Sequence, residues 1–284
     1  MTDRVSYSTA GFGDRDVEAA LDAIAASGYD HAEIVGQKPH VAEPLAGKAL
    51  REFRARLEQR GLAGGTVHAP LTRNVLGAPE EGWRREKVEV LAAYLRFTAE
   101  LGSTAMVVHP IPNPRFVPEP ERTELPQIMN EAARRSLDDL VPLATEVDVR
   151  ILLENLPYRC AYPLLDMTEL RALVEPYPVE ALGLVIDTGH AWTLGNDPAE
   201  EIRAAGSRLW GTHLQDVDYK NPQDDHWVPT YGGLDWGAVR AALENVGYAG
   251  LWTFEVAAGR AEETPEELAR LTRQVAVDWQ TDAS

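Results

Sequence analysis

A single cysteine, Cys160, stands in 284 residues, so no intramolecular disulfide can form. That usage fits a reducing compartment, and a cytoplasmic location is the expectation. Basic residues are scarce: 27 Lys and Arg face 45 Asp and Glu, a formal charge of −18. A field of that sign repels phosphate polymers and anionic membranes, which argues against nucleic acid and membrane partners yet leaves room for a local metal-lined site. The acids near the end of the chain, Glu262, Glu263, Glu266 and Glu267, read as a solvated helix face. No apolar run approaches the length that spans a bilayer. The opening Met1-Thr2-Asp3-Arg4-Val5 lacks the apolar core of a secretory signal. A Walker loop and a dinucleotide glycine fingerprint are also missing, Gly61-Leu62-Ala63-Gly64-Gly65 reading as a turn. No residue arrangement supports a serine nucleophile.

What is present is a repeated unit, clearest in Gly183-Leu184-Val185-Ile186-Asp187-Thr188-Gly189-His190. An apolar, β-branched run reads as a buried parallel strand. It ends in an acid, a small turn and a histidine. Comparable runs are Val5 to Thr9, Ala32 to Val35, Thr66-Val67, Ala105 to Val108, Arg150 to Leu153, Leu209 to Thr212 and Leu251 to Phe254. Helical segments with capping acids and closing glycines separate them: Asp14 or Asp16 to Ala26, Gly47 to Arg60, Trp83 to Leu101, Gln127 to Glu146, Met167 to Glu175, a segment opened by Asp197-Pro198, Trp236 to Val246, and a last one from Thr264-Pro265. Six prolines between Pro110 and Pro126 mark a long loop after the fourth strand. With 44% hydrophobic residues for a core, the pattern predicts one domain over residues 1–284, a single (β/α)8 TIM barrel. A doubly wound open sheet is the alternative, but only a closed barrel brings six ligand-bearing strand ends to one centre.

Those ligand-type residues are His68, His109, Glu154, Asp187, His213 and Glu255 at strand ends, with His190, Asp224 and His226 close behind them. Imidazoles and carboxylates together suit zinc or manganese, with cobalt, iron and magnesium as further candidates. So many ionisable groups in one mouth call for a compensating cation. Each has a plainer reading: a hydrogen-bonded histidine, an aspartate capping a turn, Glu154 or Glu255 paired with Arg159 or Arg260, and Asp224 and His226 as polar surface. His31 and His40 fall outside the pattern and read as structural. Trp192 and Trp227 could wall a ligand pocket by stacking on a ring, whereas Trp210, Trp236 and Trp252 read as barrel-to-helix packing.

The ordered set Val67-His68-Ala69-Pro70, Val108-His109-Pro110, Leu153-Glu154-Asn155, Ile186-Asp187-Thr188-Gly189-His190, Thr212-His213-Leu214-Gln215-Asp216 and Phe254-Glu255 resembles the xylose-isomerase-like TIM-barrel superfamily over nearly the whole chain. That group includes sugar and sugar-phosphate isomerases and epimerases, inosose dehydratases and barrel-type apurinic endonucleases. In the epimerase-like branch the resemblance implies one divalent metal on Glu154, Asp187, His213 and Glu255. The two glutamates would then be the acid/base pair, with an enediolate between proton transfers, and His190 would sit on a substrate oxygen. In the endonuclease-like branch it implies three zinc ions on all nine positions and phosphodiester cleavage. Two departures stand out. Thr230, Tyr231 and Gly232 replace the usual Gly-Glu-Gly, and the arginine that keto-sugar epimerases carry soon after the His213 position is missing. Arginines near the predicted loops that could meet phosphates are few: Arg73, Arg84, Arg85 and Arg115. The expectation is a metal-dependent isomerase or epimerase of a sugar, sugar phosphate or cyclitol-like polyol, acting on a small substrate, with homo-oligomerisation left open. A trinuclear zinc phosphodiesterase is the alternative.

Overall fold

The computed structural model describes residues 4–71, 73 and 75–281; Met1 to Asp3 of the opening stretch lie outside them. Eight parallel strands run in sequence order around a barrel: β1 (Val5–Ser8), β2 (His31–Val35), β3 (Ala63–His68), β4 (Ala105–Val108), β5 (Arg150–Glu154), β6 (Leu182–Asp187), β7 (Leu209–His213) and β8 (Trp252–Phe254). β8 pairs with β1, and the last seam is sewn just beyond β7, where the Leu214 amide donates to Thr253 O at 2.9 Å and Leu214 O accepts from the Glu255 amide at 3.3 Å. Helices α1 (Val17–Ala26), α2 (Gly47–Gln59), α3 (Glu81–Leu101), α4 (Leu125–Glu146), α5 (Met167–Val174), α6 (Thr188–Thr193), α7 (Pro198–Ala205), α8 (Trp236–Asn245) and α9 (Pro265–Thr281) follow the strands. Their apolar faces and the outward side chains of the strands form the main core. None of the helices among the described residues is long and apolar enough to cross a membrane.

Aspartates start many of these helices. Asp16, Asp166, Asp197 and Asp235 each accept a first-turn amide and satisfy a donor that the helix itself cannot. α6 is a feature the sequence reading misses, because Thr188-Gly189-His190 looks like a turn. Asp187 is both the last residue of β6 and the cap of α6, its Oδ1 accepting the His190 amide at 2.7 Å. The helix therefore starts on the strand itself and carries His190 over the barrel mouth. The expected turn at Gly61–Gly65 is a correction in the other direction. Gly61 alone turns, at φ +69°, and Ala63 to Gly65 belong to β3. Glycine is required in that strand by close packing: a Cβ on Gly64 would sit 2.7 Å from Ser103 Oγ, and one on Gly65 2.9 Å from Leu251 Cδ1.

The barrel interior is filled differently at its two ends. A small apolar layer of Ala105, Val107, Leu152 and Val185 crosses its middle. Below it, a cavity of about 400 Å³ opens at the N-terminal ends of the strands and extends up beside that layer to Glu33 and His213. Gly64, Gly65 and Gly211 are among the residues that line it, at a level where this fold ordinarily packs branched side chains. Trp210, expected in the packing layer, is instead 40% exposed at the rim of this cavity, under the Arg150 guanidinium at 3.6 Å. Trp236 and Trp252 do pack against a helix, both meeting Trp279 of α9.

Candidate metal centre at the barrel mouth

The strand registers bring the ligand-type residues to one end. Asp187 lies beside His213, and Glu154 beside Val185, two residues short of Asp187. Glu154 is the hub. Its Oε1 is 2.9 Å from His213 Nδ1 and 3.5 Å from His190 Nδ1; its Oε2 is 3.1 Å from His109 Nε2 and 3.3 Å from His68 Nε2. Glu255 Oε2 reaches the same His213 Nδ1 at 3.2 Å. One ligand atom each from Glu154, Asp187, His213 and Glu255 lie within 4.8 Å of one another, and all four residues are buried. A second group lies outward, where Asp224 Oδ1 is 3.1 Å from His190 Nε2 and 3.0 Å from His226 Nε2.

All nine residues singled out in the sequence thus meet in two adjoining clusters. Arg159 and Arg260 do not neutralise the glutamates: Arg159 donates to Thr193 O and Pro222 O, and Arg260 to Tyr231 O and Thr230 O. His31 at the start of β2 pairs with Asp30, and His40 contacts Phe12 O; neither touches the two clusters. Trp192 stacks on Tyr219 with ring centroids 5.8 Å apart, beside Gly195 and Lys220 at the rim. Trp227 pairs through its backbone with Asp216.

Two residues that sequence reasoning passes over as site residues are structurally central. Glu33 of β2 is fully buried; its Oε2 accepts from Thr66 Oγ1 at 2.7 Å and faces His213 Nε2 at 3.0 Å. Its only local signal is a carboxylate within an otherwise apolar strand end. Gln215 joins the clusters, its Nε2 donating to Asp187 at 3.1 and 3.2 Å and to Asp224 Oδ1 at 3.2 Å, while its Oε1 accepts the His226 amide at 2.8 Å. Asp216, next along, shapes the loop that carries Asp224 and His226. Its carboxylate accepts from the amides of Val217, Thr230, Gly233 and Leu234 and from Trp236 Nε1.

The hydrogen-bond partners of the imidazoles decide whether a cation fits. His68 Nδ1 lies 2.9 Å from Ala69 O, His190 Nδ1 2.8 Å from Asn155 O, and His226 Nδ1 2.9 Å from Glu255 O. A carbonyl can only accept, so each Nδ1 carries its proton there and the opposite nitrogen faces a carboxylate oxygen. Two acceptors face one another across about 3 Å only when a proton or a metal ion lies between them. A proton serves in the protein alone, and the same donor set fits a divalent ion.

Electrostatics of the protein alone follow the same geometry. Burial works against ionisation of Glu154, yet the charge of His213 and hydrogen bonds from His109, His213 and His68 hold its pKa well below the usual carboxylate range. Burial also opposes ionisation of Glu33, which His213, His68 and Thr66 hold down to about 2. Burial dominates at Glu255 and Asp187 and raises both. It would lower His226, but Asp224 beside it brings that imidazole up to about 10. The mouth therefore holds its carboxylates only with positive charge interleaved among them.

The chain belongs to the xylose isomerase-like TIM barrel family, whose sequence pattern matches residues 21–274. Among curated proteins it is 28% identical over 238 residues to the uncharacterized protein MJ1311 of Methanocaldococcus jannaschii, covering 84% of this chain and 78% of that one. It is 25% identical over 264 residues to the uncharacterized protein y4fM of Sinorhizobium fredii, covering 85% and 81%. Among solved structures, a D-tagatose 3-epimerase-like protein superposes with TM-score 0.82 at 21% identity, over 98% of this chain and 97% of that one. The IolI protein with a bound zinc atom superposes with TM-score 0.80 at 18% identity, over 98% of each chain. At such identities the structural likeness establishes the shared barrel.

Proposed function

We propose that the protein is a divalent-metal-dependent isomerase or epimerase of a small sugar, sugar phosphate or cyclitol-like polyol. One observation carries this reading. Two carboxylates from strands on different sides of the barrel, Glu154 and Glu255, converge on one imidazole nitrogen at 2.9 and 3.2 Å, with Asp187 close by. Glu154, Asp187, His213 and Glu255 would hold the ion, zinc or manganese by donor type. A divalent ion there would polarise a carbonyl and its neighbouring hydroxyl, which acidifies the C–H between them. The remaining work falls to the side chains. Glu255 has a single imidazole contact among the described residues and is the freer base. It takes the C–H proton, leaving the electron pair in an enediolate. Glu154 takes a proton from one of the imidazoles that contact it and delivers it to the opposite face or the neighbouring carbon, loosening that contact, while Glu255 gives up the abstracted proton to restore the pair. His190 would hold a substrate oxygen. Trp227 remains a candidate pocket wall, while Trp192, stacked on Tyr219, would serve the rim. That solved relatives of this fold include a D-psicose 3-epimerase supports the substrate class.

A second reading has its own observation. The outer group of His190, Asp224 and His226, and the placement of both His68 and His109 on Glu154 Oε2, offer donors for two further ions. That is the set a trinuclear zinc phosphodiesterase would use. Against it, Arg84 is committed to Glu81 and Asp139, and Arg85 to Glu81, so they offer little to a phosphate backbone. Metal analysis of protein purified without chelator, followed by solvent deuterium exchange into a polyol panel, separates the readings. Incorporation of deuterium at carbon supports the first. Three zincs per chain, no exchange across the panel and salt-sensitive cleavage of an abasic duplex would replace it with the second.

A further inference from the structure

We propose that Glu33 is a positioning residue for the metal centre, holding His213 from below and making it a stronger imidazole donor than His68, His190 or His226. The inference rests on the metal reading above. His68, His190 and His226 each place their outer nitrogen on a neutral backbone carbonyl. His213 is different: its Nε2 faces a carboxylate, Glu33 Oε2, at 3.0 Å, and Thr66 Oγ1 donates to the same oxygen at 2.7 Å. With an ion held at Nδ1 between Glu154 and Glu255, the remaining proton of His213 sits on Nε2 and points down the barrel to Glu33. An anionic partner on the outer nitrogen fixes the tautomer and raises the electron density of the ligating one more than a carbonyl does.

The surroundings are built to keep Glu33 charged and still. Glu33, Thr66 and His213 are at most 8% exposed. The remaining carboxylate oxygen, Oε1, has no hydrogen-bond partner among the described residues, and Glu33 lines the top of the 400 Å³ cavity that opens at the far end of the barrel. The charge of Glu33 therefore rests on what Oε2 meets, the imidazole of His213 and the hydroxyl of Thr66.

The test is zinc affinity, read by competition with a chromogenic chelator, in the full chain and in Glu33→Gln, Glu33→Ala and Thr66→Val. Far-ultraviolet circular dichroism and thermal melts accompany each variant. Glu33→Gln keeps the shape and replaces the anion by a neutral acceptor, so affinity at the His213 site should fall by about tenfold. Glu33→Ala should lose about 100-fold and Thr66→Val only a few-fold. A purely structural role would not move the imidazole tautomer. Nitrogen-15 spectra should show His213 protonated at Nε2 in the wild-type zinc form and mixed or reversed in Glu33→Ala. Should Glu33→Ala fail to fold, Glu33→Gln decides by the same two readouts. Folded variants with wild-type zinc affinity and an unchanged His213 tautomer would overturn the proposal while leaving the metal site intact. A wild-type chain that binds no divalent ion would instead remove the reading beneath it.

Discussion

The two clusters in the barrel mouth are built from the same residue types but on different supports. Glu154, Asp187, His213 and Glu255 sit at the ends of hydrogen-bonded strands, and their side chains are at most 9% exposed. Asp224 and His226 lie on the long loop between β7 and α8, with side chains 42% and 22% exposed. The inner group is fixed by barrel geometry. The outer group is fixed by two polar side chains, Gln215 and Asp216, which tie the loop to the strand ends. The difference suggests a division of labour: positions that must not move by half an ångström sit on strands, and positions that must adapt to a substrate's far end sit on a tethered loop.

The largest effect should come from the inner hub. Glu154→Gln removes the charge shared by four imidazoles, and deuterium exchange into substrate should fall by about 10³-fold, with inner metal lost in the same preparation. Retained exchange above a tenth of wild type would erase the proposed distinction between the clusters.

Next in size is Asp216→Ala. It leaves several amides and an indole N–H without their acceptor, and the loop would lose about 3 kcal/mol, lowering Tm by roughly 8 °C. Metal stoichiometry sharpens the comparison here, since the inner ion should stay while any ion held by His190, Asp224 and His226 goes. Asp224→Asn is a milder probe of the same loop. Activity should fall about tenfold, and isothermal titration should show at most one class of site lost. An equal loss at both sites would mean that the clusters act as one.

How far all this could be read in the chain follows the same divide. Strand-end residues are legible because a buried parallel strand announces itself by composition, and an acid or histidine closing it stands out: Val108 before His109, Leu153 before Glu154, Ile186 before Asp187. The barrel follows from counting such units. Glu33 is not legible in that way, because it lies two residues inside β2 and its partner His213 is 180 residues on. Gln215 is an ordinary polar residue until a loop folds back over it. Gly64 and Gly65 imitate a turn because composition cannot tell a glycine that bends the chain from one that lets a neighbour approach. Trp210 departs from its expected place for a related reason: its bulk argues for the core, but its strand position puts it at the open lower rim under Arg150. Local pattern identifies strands and their ends; which buried side chains face one another across the barrel is a property of closure.

The smallest predicted effect concerns the departure from Gly-Glu-Gly. Thr230 occupies the first of those positions with φ at +79°, in the left-handed region that a β-branched residue rarely adopts. What keeps it there is Asp216, which accepts the Thr230 amide at 2.9 Å, and Arg260, which donates to Thr230 O at 3.3 Å. The side chain is exposed, so no packing is lost on removing it. Thr230→Gly should therefore relieve about 1–2 kcal/mol of backbone strain and give back part of it through the greater freedom of the unfolded chain, for a net gain of about 0.5–1 kcal/mol and a Tm higher by about 2 °C. The inner cluster does not touch this residue, so zinc affinity at His213 should stay within twofold. If instead Thr230→Gly weakens the outer site, the strained threonine is holding Asp224 and His226 in place, and the loop is less adaptable than its exposure implies.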